Sequence, residues 1–119
     1  MTRHLLRVVL AEFGVEEGTA VALGRLLRDD GVEVVYAGRL DTSEQLVRTV
    51  EQEDPDILGV VRDVSEPQGL AETLPGVLLF AVGNGPSEFE NAFESLEEAA
   101  NWVSGVRSHT VETPSDRVR

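Results

Sequence analysis

The chain has 119 residues, enough for one hydrophobic core and too few for two. It contains no cysteine, and all ten of its basic residues are arginine, which excludes disulfides, thiolate catalysis, sulfur-ligated zinc and Schiff-base lysine chemistry. Twenty-two acidic residues against those ten leave a formal net charge of -12, which opposes nucleic acid and anionic membrane as partners and suits a solvated surface.

The opening Met1-Thr2-Arg3-His4-Leu5-Leu6-Arg7 returns to charge too soon for a signal peptide, and no later window approaches the length of a membrane span. The expected location is cytoplasmic. Leu5 to Ala11 is a short apolar run that ends in a glycine-containing turn and reads as a buried parallel strand. A helix follows over about 17 to 30, with Ala20, Val21, Leu23, Leu26 and Leu27 as its apolar face and Gly31 placed to stop it. Val32 to Ala37 is the second strand, rich in β-branched residues.

Thr42 and Gln45 have the spacing of a capping box, opening a second helix with Leu46, Val47 and Val50 inward. It stops before Pro55, because the residue ahead of a proline is pushed out of helical geometry. Ile57 to Val61 is a third strand whose unbroken apolar character suits a central position. Residues 63 to 69 are a loop, and Leu70 to Leu74 leaves room for one or two helical turns. Val77 to Val82 is a fourth strand, ending in Gly83-Asn84-Gly85-Pro86, where Asn84 is expected in a left-handed turn conformation. Asn91-Ala92-Phe93 is a candidate short edge strand. Ser95 and Glu98 form a second capping box, opening a helix with Leu96, Ala99, Ala100, Val103 and Val106 on one face. From Arg107 the chain turns polar, so a domain over 1–106 and a disordered tail over 107–119 are expected.

Strands alternating with helices predict an α/β fold: a flavodoxin-like (Rossmann-like) three-layer α/β/α sandwich on a parallel sheet of order 2-1-3-4, with at most a short fifth strand. The second half is truncated, with no full helix between strands four and five. The segments Arg7-Val8-Val9-Leu10-Ala11, Gly31-Val32-Glu33-Val34-Val35-Tyr36-Ala37-Gly38 and Asp54-Pro55-Asp56-Ile57-Leu58-Gly59-Val60-Val61 resemble the cobalamin (B12)-binding domain of the methylmalonyl-CoA mutase type. The resemblance implies the same architecture and a stand-alone small subunit of an acyl-CoA mutase.

Ligand sites of such sheets lie at the carboxyl ends of the strands, and all three loops there depart from the family's pattern. The family's first loop carries Asp-x-His-x-x-Gly, whose histidine ligates cobalt. With Gly18 as the glycine of that motif, Phe13 stands at the aspartate and Val15 at the histidine. The third strand ends in Val61-Arg62-Asp63 where the family has Ser-x-Leu beside the cofactor's nucleotide tail. The fourth ends in Gly83-Asn84-Gly85 where the family has a glycine pair. Phe13, Gly14, Val15, Gly18, Asp63, Gly83 and Gly85 therefore mark a vestigial cofactor site, with no catalytic residue and no metal ligand assigned. His4 and His109 lie outside these loops. Glu16 and Glu17 place negative charge at the start of the first helix, which compensates its dipole and disfavours phosphate.

Two function classes follow. One is an interaction or accessory subunit that has kept the fold and lost histidine-ligated cobalamin, with no cofactor expected and a mutase-like large subunit or a second copy as partner. The other is a carrier or mutase subunit that binds cobalamin without a protein histidine. Joint departure at three loops favours the first. A pseudo-receiver is a third reading, with Asp63 at the phosphoacceptor position, but a working receiver needs a lysine. Phe89, Phe93 and Trp102 are the aromatic residues nearest the truncated half, equally suited to anchoring an interface or to closing the core.

Overall fold

The structure, a computed structural model, describes residues 5–63, 68–84 and 86–117, with side chains as far as Ser108. Strand and helix alternate as β1 (Arg7–Phe13), α1 (Val21–Asp29), β2 (Glu33–Arg39), α2 (Ser43–Glu53), β3 (Ile57–Arg62), α3 (Leu70–Thr73), β4 (Leu78–Val82), β5 (Asn91–Phe93) and α4 (Leu96–Arg117). The sheet runs β2-β1-β3-β4-β5 with every neighbouring pair parallel, as the α/β pattern predicted. β3 lies at its centre with all six residues buried, the reason an unbroken apolar run rather than an alternating one encodes it.

Alternation of side chains across the strands divides the core in two. Val8, Leu10, Ile57, Val61, Phe80 and Val82 face α1 and α4, while Val9, Ala11, Leu58, Val60, Leu79 and Ala81 face α2 and α3. The second face is thinly covered. α2 presents Leu46 and Val50 to it over eleven residues, whereas α3 is four residues long and contributes Leu70. Among the described residues, no helix stands between β4 and β5.

Local signals account for most helix ends. α1 closes in a Schellman arrangement: Gly31 takes φ +87°, its amide donates to Arg28 and the amide of Val32 donates to Leu27. The amide of Gln45 donates to Thr42 Oγ1 at 3.2 Å, and Gln45 Oε1 accepts from the amide of Thr42 at 3.1 Å, completing the first capping box. Ser95 and Glu98 make the same reciprocal pair at the start of α4. α2 ends at Asp54, the one non-glycine residue with positive φ among the described residues, and Pro55 follows. Asn84, expected in that conformation, does not adopt it; Gly83 turns the chain instead, at φ +132°. α4 continues through Arg107 to Arg117, across the stretch where the sequence turns polar.

The apolar face of α1 differs from the sequence expectation in one respect. Leu23, Gly24 and Leu27 are buried but Val21 is exposed, and Tyr36 of β2 lies across Gly24, where a Cβ would overlap its ring. Arg28 covers the outer side of that ring at 5.1 Å. At the amino ends of the strands, Arg7 bonds Glu53 O at 2.7 Å and Glu33 Oε2 at 3.0 Å. The Glu33 hydrogen bond raises the Arg7 pKa further above its ordinary value.

Candidate functional site

The chain leaves β1 for β2 on one side and returns to β3 on the other, so strand order reverses between β1 and β3 and opens the usual ligand crevice at their carboxyl ends. β1 ends Glu12-Phe13, β3 ends Val61-Arg62 and β4 ends in Val82. The register sets Glu12 level with Val61, Phe13 level with Arg62, and Val61 level with Val82. The period of two then sends Glu12 toward α1 and Arg62 to the opposite face, so these two charges do not meet as a pair.

Glu12 is 3 % exposed, and its carboxylate is spent on the chain itself. Oε1 accepts from the amide of Gly18 at 3.0 Å and Oε2 from the amide of Ala20 at 2.7 Å. The N-cap of α1 is Ala20, which has no side-chain cap of its own, and Thr19 Oγ1 donates backwards to Glu16 O. The carboxylate closing β1 therefore ties down the turn that leads into α1, and the amides of Gly18 and Ala20 there are already taken. This corrects the role expected of Glu16 and Glu17. Both are exposed in the turns before α1, which begins only at Val21 with no acidic residue in its first turn. The signal for Glu12 was a lone carboxylate closing an apolar strand, six and eight residues ahead of the amides it binds.

Arg62 is 1 % exposed, and its Nη1 donates to Asn84 O at 2.6 Å. No side-chain nitrogen or oxygen buried among the described residues lacks a partner, so the cost of burying this guanidinium is offset by hydrogen bonds. The β3 and β4 ends are close at this level, and a Cβ on Gly83 would overlap the Arg62 carbonyl oxygen. Gly83 is glycine for two reasons, the approach of that carbonyl and its positive φ.

The residues singled out from sequence fall as follows. Phe13 is half-buried against the α2/α3 core and Val15 half-buried against the α1/α4 core. Gly14 and Gly18 shape the first loop at φ +75° and +95°, Asp63 is exposed, and Gly85 lies outside the described residues. Phe93 and Trp102 form a triangle with the fully buried Phe80, at ring separations of 6.3, 5.6 and 5.9 Å, whereas Phe89 is buried on the other face of the sheet. The three aromatics do not form one surface.

A cobalt ligand on the first loop would have to be a nitrogen at the position of Val15, whose side chain has none and lies half-buried against the core. Val61 and Val82, at the ends of β3 and β4, are buried in that core. These residues do not fit a histidine-ligated corrinoid. Among the described residues, no group of three or more His, Asp or Glu side chains could hold a metal ion, and no helix is long and apolar enough to cross a membrane.

No protein-family model matches the chain. It is similar to the 2-hydroxyisobutanoyl-CoA mutase small subunit of Aquincola tertiaricarbonis, with 45% identity over 63 residues, which is 50% of this chain and 46% of that subunit. The chain thus spans about half the length of the curated relative it matches.

Proposed function

We propose that the chain serves as an accessory small subunit of an acyl-CoA mutase-like assembly, working through protein contacts and without histidine-ligated cobalamin. The similarity to a mutase small subunit supports the subunit role, together with the B12-domain resemblance of the first three strands. The observation that carries the cofactor half is the first loop, where Val15, half-buried against the core, stands at the ligand position and the Glu12 carboxylate takes the amides of Gly18 and Ala20. A loop closed on its own strand holds a shape without a ligand.

Two measurements test the reading. Titration with hydroxocobalamin or adenosylcobalamin, followed by absorbance and calorimetry, is expected to show no stoichiometric complex with displaced dimethylbenzimidazole. Co-expression with a mutase large subunit from the same host is expected to yield a complex that survives gel filtration. The similarity to a mutase small subunit also favours a second reading, a subunit holding cobalamin without a protein ligand. Stoichiometric binding with the cofactor's own base still coordinated would select it.

A further inference from the structure

The short α3 leaves an open groove along the α2/α3 face, over the amino-terminal end of β4. It has a volume of about 450 Å³ and an apolar floor that includes Leu74, Pro75, Val77 and Phe89. Leu78 at its edge is 45 % exposed, at the start of β4 beyond the reach of β5, which pairs with Phe80 to Val82. Its charged lining is of one sign. Glu88 and Glu90 border the groove, Glu72 and Glu88 border its continuation along α3, and among the described residues no arginine lines either part. Glu88 is also held in place by the amide of Gly69, donating to its Oε1 at 3.1 Å.

An open trough with an apolar floor and few convergent polar groups is poorly shaped for a small molecule, which needs enclosing walls and oriented donors. It does match the core-and-rim anatomy of a protein interface, in which the apolar centre supplies burial and the charged rim selects the partner. The acidic rim, on a chain of net charge -12, calls for positive charge opposite. We infer that this groove seats a short apolar segment flanked by arginine or lysine on the partner subunit. The inference rests on the subunit reading above and adds the surface and the chemistry of its occupant. The groove centres on the amino-terminal end of β4, about 13 Å from its carboxyl end at ~3.3 Å per residue, although Gly69 and Glu88 on its rim belong to the connections that follow β3 and β4.

The test compares the wild-type chain with Ala71→Arg, which puts bulk and positive charge into the groove from an exposed position, and with the double reversal Glu72→Arg/Glu90→Arg. Glu17→Arg, on the first loop, is the control. Binding to the mutase large subunit of the same host is measured by surface plasmon resonance at two salt concentrations, after melting curves show the variants folded. At least tenfold weaker binding for both groove variants, an unchanged control, and wild-type affinity that falls with salt are expected. A complex indifferent to the groove variants overturns the groove and leaves the subunit reading standing. Absence of any complex overturns the subunit reading. The groove is then judged by titrating the ¹⁵N-labelled chain with a synthetic peptide of alternating leucine and arginine. Shifts confined to Ala71, Leu74, Val77, Phe89 and their neighbours uphold it, and shifts elsewhere or none overturn it.

Discussion

Glu12 concentrates the consequences of single residues. Its carboxylate accepts two charge-assisted hydrogen bonds in a nearly water-free position, and a neutral amide there could accept one while presenting a donor to the other amide. Glu12→Gln is therefore expected to cost about 1–3 kcal/mol, read as a lower urea midpoint at unchanged slope. A cost below the error of the measurement would show that the loop does not depend on this carboxylate. Gly59→Ala tests the same face of the sheet on the neighbouring strand β3. A methyl there would overlap the Phe80 ring and stand 2.9 Å from Leu10 Cδ2, and both neighbours are fully buried. Phe80 cannot swing aside without breaking its contacts with Phe93 and Trp102, so a loss of about 1–3 kcal/mol is expected from overpacking. Neither residue was singled out from sequence, since a strand-end glutamate and a strand glycine acquire their importance only from what lies across from them.

The elements differ in how locally they are determined. α2 begins at Thr42 because that side chain and Gln45 satisfy each other's backbone amides, an arrangement readable from four consecutive residues. Thr42→Ala is expected to lower stability by about 1 kcal/mol, with the helix start fraying first in hydrogen exchange. α4 is anchored by Ala99, Ala100 and Val103 in its first half, all buried beneath α1 and the sheet. The tail expected from the polar composition after Arg107 leads to a second element-scale outcome. A chain ending at Ser108 should keep its melting temperature within about 2 °C, a shift below that of a 1 kcal/mol change in a domain of this size. A larger drop would assign residues 109–119 a stabilising role.

At the scale of the whole molecule, two cores share one sheet, and each of β1 to β4 contributes side chains to both. Unfolding is therefore expected to be a single cooperative transition. Trp102, the only tryptophan, reports the α1/α4 core by fluorescence, while far-ultraviolet circular dichroism reports all helices. Coincident urea curves are the expected result. An early dichroism loss would show the α2/α3 side, where α3 has four residues, melting by itself. The thin cover on that side also gives the proposed subunit a surface to offer, on the opposite face of the sheet from α1 and away from the first loop, where a cobalt ligand was sought.

What the sequence determined by itself was everything carried by neighbours along the chain. The apolar runs at Leu5 to Ala11, Ile57 to Val61 and Val77 to Val82 specify buried parallel strands, with ends shifted by up to two residues from β1, β3 and β4. The boxes at Thr42 and Ser95 start helices and Gly31 stops one, and the short spacing after Leu70 announces the truncated half. The sheet order followed from that alternation, because parallel crossovers leave few other topologies. The absence of a histidine between Glu12 and Gly18 was equally legible. The tertiary structure alone decided what fills the site. Glu12 turns onto the loop that follows it, Arg62 is drawn inside toward the carbonyl of Asn84, and Phe89 parts company with Phe93 and Trp102 across the sheet. Each of these depends on which face of the sheet a returning loop brings its amides, carbonyls or rings to, and a one-dimensional pattern does not contain that information.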